Sequence, residues 1–285
     1  MGSFFHRHRG LAPYLLLLPG VFWLGIFFLI PLGYLAYEAL QSGIFPTFEF
    51  SWEFSNFTVA ISDYREQLVR SFVYAGIATI ACLLLAYPLV YWIAFRAGPW
   101  RNLFLLLIVA PFFVTYLVRT LAWLNILADE GPVVGVLQWT HVLGEDDRLL
   151  ATSFAVVSGI TYNFFPFMAL PLYVSLEQID PRLLEAAKDL YASSTQTFLR
   201  VTLPLSAPGI VAGTLLTFIP AAGDFINAYF LGTPNQQMIG NVIQAKFLQS
   251  LDYPTAASLS FVLMASILVV VLVYARIVGA EKLTG

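Results

Sequence analysis

Of 285 residues, 59% are hydrophobic and 11% charged, and the mean hydropathy is +0.78, a balance that excludes an ordinary soluble domain. A formal net charge of −3 leaves no reason to expect a nucleic-acid partner, and a single cysteine excludes a disulfide within the chain. A phosphate-cradling Gly-Lys-Ser/Thr is absent, because Lys188 follows Ala187, Lys246 follows Ala245 and Lys282 follows Glu281, so ATP hydrolysis by that route is excluded.

About 20 consecutive apolar residues cross a bilayer as a helix. Six such windows are predicted, over residues 11–39, 71–95, 103–127, 151–174, 207–231 and 256–278. The chain reads as an all-α integral membrane protein, a single domain over 1–285, because the loops between spans are too short to fold separately. His6-Arg7-His8-Arg9 before the first window resembles the start of a secretory signal, yet the apolar run continues past Pro31 almost to Leu40, beyond an h-region of about 7–15 residues. It reads as an uncleaved first span, with the four basic side chains flanking it. At its far end Tyr37 is a candidate cation–π face, and Glu38 is a candidate to funnel cations inward, with a snorkelling rim carboxylate as the plainer reading. Cys82 in the second span, among Ala81, Leu83 and Leu84, reads as a small apolar residue. The histidines, including His141, are not paired with carboxylates at zinc-protease spacing.

The third span carries Arg119 near Tyr116 and Trp123. An arginine there opposes a free cation, and a structural ion pair or an interface contact is its expected role, with an anion path as the other reading. Trp123, Tyr162 and Tyr229 are candidate faces for ammonium groups, although interfacial and packing roles account for most aromatics in such a chain. Asn163 in the fourth span joins them as a polar path candidate. Asp224, expected inside the fifth span within Pro220-Ala221-Ala222-Gly223-Asp224-Phe225, is a carboxylate that hydrocarbon would exclude. It is either a counter-charge for a cationic solute or an acid paired with Asn227, with the break at Pro220–Gly223, or with Arg119. Pro220, Gly223 and Gly232 are positions where that span can bend.

Basic residues set the orientation. With the N-terminus inside, cytoplasmic segments hold Arg7, Arg9, Arg96, Arg101, Arg182, Lys188, Arg200, Arg276 and Lys282, against Arg65, Arg70, Arg148 and Lys246 outside. Both termini are therefore expected to be cytoplasmic. The outer loops collect acids, Glu145 and Asp146 among them.

Between the fourth and fifth spans lies a polar segment that still reads as helix. Asp180 is the predicted N-cap with Pro181 at the first helical position. Leu183, Leu184, Ala187 and Leu190 recur at helical spacing, and Arg182, Glu185, Lys188 and Asp189 cover the rest. A helix lying on lipid headgroups would be rich in Lys and Arg; here acids match bases, which favours a protein partner.

Glu185-Ala186-Ala187, Asp189-Leu190, Ala192-Ser193, Phe198, Val201, Leu203-Pro204-Leu205 and Pro208-Gly209 resemble the EAA loop of permease subunits in binding-protein-dependent ABC importers. Over 180–200 the resemblance implies a cytoplasmic coupling helix on a type I ABC importer permease fold. It gives Glu185, Ala186, Ala187, Asp189, Leu190, Ala192 and Ser193 the docking role. The family has glycine where this chain has Tyr191. A bulky residue at positive φ is strained, so the turn is expected to be remodelled while docking is retained; the alternative is that the ring joins the docking surface.

Phe164-Phe165-Pro166-Phe167-Met168, Leu170-Pro171-Leu172-Tyr173, Pro111-Phe112-Phe113, Arg119-Thr120, Gly131-Pro132 and Ile239-Gly240-Asn241-Val242-Ile243 extend the similarity toward the spermidine/putrescine branch. What this implies is a bacterial plasma-membrane subunit taking up polyamines, with no cofactor of its own and with ATP and Mg in a separate ATPase. The implied partners are a paralogous permease, two ATPase subunits and an extracytoplasmic solute-binding protein. Importers of other small organic cations, zwitterions or anions share parts of the pattern. A gradient-driven secondary carrier is the reading from another class, poorly supported by six unequal spans and one intramembrane acid.

Overall fold

The computed structural model describes residues 12–144 and 147–278. His6, Arg7, His8, Arg9, Glu145, Asp146 and Lys282 lie outside the described residues.

Among the described residues four helices are long and apolar enough to cross a membrane, and up to six spans result if each of two bent pairs counts as one. The described residues begin with α1 (Ala12–Leu24), pass through a π-helical turn at Gly25–Leu29 and continue as α2 (Ile30–Ala39). A hairpin follows, β1 (Gln41–Ile44) pairing antiparallel with β2 (Thr47–Phe50) in the register Gln41↔Phe50. The helical prediction contained no such hairpin. Its strands are four residues long, too short for an alternating pattern to stand out. Then come α3 (Ser55–Asp63), α4 (Arg65–Phe95), α5 (Arg101–Val109), α6 (Tyr116–Leu127), α7 (Pro132–Trp139) and α8 (Ser153–Glu177). Beyond lie α9 (Pro181–Asp189), α10 (Ser194–Thr197), a π-helical turn (Phe198–Thr202), α11 (Leu203–Leu205), α12 (Ala207–Ala222), α13 (Ile226–Leu231), α14 (Ile239–Leu248) and α15 (Tyr253–Val278).

Contacts divide the chain into two compact units, where the sequence reads as one domain. The first comprises residues 1–63 and 245–262. Asn56 Nδ2 donates to the carbonyls of Ala39 (3.0 Å) and Gln41 (2.8 Å), clamping α3 to the start of the hairpin. Tyr253 packs on Phe45, Phe48 and Phe247, and Lys246 pairs with Asp252 at 3.0 Å.

The second unit, residues 64–244 with 263–285, is built on α4 and α8. The Tyr74 hydroxyl meets Ser153 Oγ at 2.6 Å, and Cys82 Sγ donates to the Thr161 carbonyl at 3.3 Å. Equal steps along both helices mean that they run parallel. In lipid no hydrophobic effect drives two helices together, so close backbone approach has to come from small residues. Ala75, Ala78, Cys82 and Ala86 supply it on α4, all fully buried. Leu172 and Leu176 of α8 fill the space beside Val90 and Ile93. Onto this pair α12 docks through Gly209 and Gly213. A Cβ at Gly209 would stand 2.8 Å from the Pro171 carbonyl oxygen, and one at Gly213 would stand 2.8 Å from Met168 Sδ and 3.0 Å from its carbonyl oxygen.

The third and fifth predicted spans are not continuous. Residues Gly98–Phe113 and Tyr116–Trp139 meet at 97°. Pro111 opens a short 3-10 turn, and Val114 and Thr115 are extended before α6 begins. At the other bend, 61°, Ser194–Leu205 turns into α12. The fifth span ends at Ala222 instead of Leu231, and Gly223-Asp224-Phe225 separates α12 from α13. Asp224 thus occupies a break between helices, not the inside of one. A hydropathy window is blind to such breaks because the residues on both sides are equally apolar.

Candidate functional site

The polar loop between α8 and α12 forms as its residues dictate. The Asp180 side chain accepts from the Arg182 N–H at 2.9 Å with Pro181 at the first helical position, and α9 buries none of its residues. At its C-terminal end the Tyr191 N–H bonds the Lys188 carbonyl (2.9 Å) and the Ala192 N–H bonds the Ala187 carbonyl (3.0 Å). That pair of bonds is a Schellman closure, with Tyr191 in the left-handed position at φ 59°. The expected remodelling of this turn does not occur: the backbone adopts the conformation a glycine would take, at a cost of roughly 1–2 kcal/mol for a side chain with Cβ. Tyr191 is 97% exposed and Leu190 is 80% exposed.

Ser193 then starts the next helical segment with a capping box: its Oγ accepts from Gln196 N (3.3 Å) and Gln196 Oε1 accepts from Ser193 N (2.9 Å). Ser193 therefore has a local structural task. The far end of the loop is anchored on α4. Phe198 packs against Tyr87 (5.4 Å) and Tyr91 (6.1 Å), and the Tyr87 hydroxyl meets Ser206 Oγ at 2.8 Å. Glu185, Ala186 and Asp189 are exposed, and Ala187 and Ala192 are half-buried. The loop thus offers one outer face, fixed at both ends.

A second constellation lies among α4, α5, α6 and α8. A cavity of about 750 Å³ is walled mostly by apolar side chains from Ile77 to Ile93 on α4 and from Phe154 to Pro166 on α8, with Ser158, Thr161, Tyr162, Arg119 and Trp123 as its polar or amphipathic groups. Trp123 and Tyr162, both anticipated from sequence, meet at 5.4 Å between ring centroids. Arg119 is 8% exposed, its guanidinium lies 4.7 Å from the Phe112 ring centroid and 5.6 Å from that of Tyr116, and its Nε and Nη1 have no hydrogen-bond partner. Among the described residues it has no carboxylate partner, which overturns the expected ion pair within the chain.

Behind Arg119 sits a buried polar cluster. The Tyr116 hydroxyl donates to Asp224 Oδ1 at 2.5 Å, and Asp224 Oδ2 accepts the Asn227 backbone N–H at 3.0 Å. Asn227 Nδ2 donates to the Tyr116 oxygen at 2.6 Å, and its Oδ1 accepts from Asn163 Nδ2 at 3.2 Å. Thr120 Oγ1 accepts from Asn163 Nδ2 at 3.3 Å. Both oxygens of Asp224 are thus engaged inside the protein, and the residue caps α13 across the break. Of the sequence alternatives, pairing with Asn227 holds and pairing with Arg119 does not. Asn241 ties the same break from the other side, donating through Nδ2 to the Phe225 carbonyl at 2.8 Å.

The remaining candidates lie elsewhere. Tyr37 stacks flat on Phe50 at 5.1 Å and Glu38 is half-buried, both in the first unit. Tyr229 is exposed on α13 beside Phe230 and does not line the cavity. Sequence reasoning left Thr120, Ser158 and Thr161 without a role. The spacing of Tyr116, Arg119, Thr120 and Trp123, three and four apart on one side of a helix, was the available signal.

Multiple apolar spans, two of them broken, with an apolar cavity that holds a few polar groups, define a multi-pass membrane protein. The chain belongs to the family described as binding-protein-dependent transport system inner membrane component, which matches residues 59–280. It is 40% identical over 213 residues to the spermidine/putrescine transport system permease protein PotB of Escherichia coli K12, covering 75% of this chain and 78% of that one. To PotB of Haemophilus influenzae it is 38% identical over 256 residues, 89% of this chain and 90% of the relative. To the inner membrane ABC transporter permease protein YdcU of E. coli K12 it is 31% identical, over 92% and 88%. Among solved structures, a bacterial ABC transporter involved in import of the acidic polysaccharide alginate matches with a TM-score of 0.75 and 18% identity over 99% of both chains. That likeness shows the fold.

Proposed function

We propose that this chain is one permease subunit of an ATP-driven importer for polyamines, delivered by a solute-binding protein. The observation that carries the reading is the 38–40% identity to spermidine/putrescine permeases over 75–89% of the chain. The geometry adds a cavity in which the Trp123 and Tyr162 rings adjoin, a surface suited to ammonium groups and alkyl linkers alike. Glu185 to Ser193 present the face on which an ATPase subunit docks, and the solvated, charge-balanced surface of α9 supports that role. A paralogous permease completes the path, two ATPase subunits supply ATP and Mg, and both termini face the cytoplasm, as the distribution of basic residues indicates.

The test is reconstitution of the chain with its paralogue, ATPase and binding protein in proteoliposomes. ATP-dependent uptake of labelled spermidine or putrescine is expected. Uptake by this chain alone, driven by an ion gradient, would instead favour a secondary carrier.

Arg119 favours a second reading. A buried guanidinium with two unpartnered nitrogens on the cavity wall suits a solute that carries a carboxylate. Titrating the binding protein with diamines, amino acids and organic acids separates the two, since only a zwitterion or an anion would engage that charge.

A further inference from the structure

We propose that Tyr191 is an aromatic anchor that seats the loop in an apolar pocket of the ATPase subunit, an inference that rests on the coupling role proposed above. The residue holds a left-handed backbone (φ 59°) at a Schellman position that glycine would fill without steric conflict. Nothing among the described residues accounts for the tyrosine. Its side chain is 97% exposed, makes no ring contact or hydrogen bond among the described residues, and stands beside Leu190 at 80% exposure. Strain at an exposed position, with no ring contact or side-chain hydrogen bond among the described residues to offset it, points to a contact made outside the chain.

The surroundings say what kind of contact. Lys188 and Asp189 adjoin the Leu190–Tyr191 tip, Arg182 and Glu185 lie further back on α9 to balance the charge, and α9 has no buried residue. A lipid surface would select an excess of Lys and Arg on such a helix. An apolar tip at the end of a helix of mixed charge instead suits a protein hot spot, in which a central aromatic is desolvated and polar neighbours exclude water. The partner surface is therefore an apolar pocket edged by charges of both signs.

The test uses the assembled permease pair and measures both the affinity of the ATPase subunit and the thermal midpoint of the pair. Y191G is expected to weaken ATPase binding at least tenfold while leaving the midpoint unchanged or higher, because the backbone strain is relieved. Y191A is expected to weaken binding equally without that gain, and Y191F to stay within threefold of wild type. Y191G binding within threefold of wild type overturns the anchor. So does a loop that binds vesicles of anionic phosphatidylglycerol through Tyr191 while ATPase affinity ignores the substitution. A wild-type pair with no affinity for any ATPase subunit overturns the coupling reading itself, and the anchor with it.

Discussion

The Tyr116 hydroxyl reaches from α6 to Asp224 Oδ1, at 2.5 Å, and so ties the helix after one break to the residue that forms the other. Two interruptions far apart in sequence meet at this contact, which the Asn227 amide reinforces by donating to the Tyr116 oxygen at 2.6 Å. Removing the hydroxyl would leave a buried carboxylate oxygen and the Asn227 amide short of partners. Tyr116→Phe is expected to destabilise the subunit by about 2 kcal/mol, read as a lowered thermal midpoint in detergent. Asp224→Asn keeps the Tyr116 bond, and its expected loss is about half as large. A Tyr116→Phe midpoint equal to wild type would show that the contact does not hold the break.

The Trp123–Tyr162 pair should govern solute affinity. Trp123→Ala is expected to raise the uptake KM about fivefold to thirtyfold, the size of a cation–π contact of roughly 1–2 kcal/mol. Trp123→Phe should recover most of it. Initial-rate uptake in proteoliposomes decides the matter; an unchanged KM with a reduced maximal rate would assign Trp123 to packing.

Gly213→Ala would place a methyl group 2.8 Å from Met168 Sδ and 3.0 Å from the Met168 carbonyl oxygen. Since a carbonyl cannot swing aside as a thioether can, the expected cost is about 1–3 kcal/mol. Yield of the assembled pair and its thermal midpoint should fall together.

Ser193→Ala removes one half of the capping box with Gln196. The expected cost is about 1 kcal/mol, local to the loop. Hydrogen exchange should rise in 193–198 and remain unchanged in α8. Faster exchange throughout the subunit would mean that the cap supports more than its own helix.

The loop was legible in the sequence because its signals are local: Asp180 with Pro181, the amphipathic spacing up to Leu190, and a polar stretch between apolar runs. Membrane spans were legible for the same reason, since hydropathy needs no knowledge of neighbours. The breaks were harder to read. Pro111 and Gly223 mark positions where a helix can stop, and Pro220 stands two residues before α12 ends, but Pro88, Pro166 and Pro171 lie inside helices that continue. Whether a proline interrupts depends on what re-satisfies its neighbours' backbone groups, a tertiary matter. Asp224 shows the same limit. Its rarity in a span marked it as important, while its partners, Tyr116 and the Asn227 N–H, became visible only once α6 and α13 were brought together. At Tyr191 the sequence posed the right question, and the backbone answered it against the expectation of a remodelled turn.

The seam formed by Gly209 and Gly213 leaves α12 no slack against α8. Packed interfaces of this kind shift between discrete seatings; they do not stretch. Phe198 and Ser206 secure the loop to α4 just ahead of that seam. Between the loop and α12 the backbone already turns through 61°, and the next helix-free step is at Gly223–Phe225. Asp224 is the pin of that step, held by the Tyr116 hydroxyl and the Asn227 N–H.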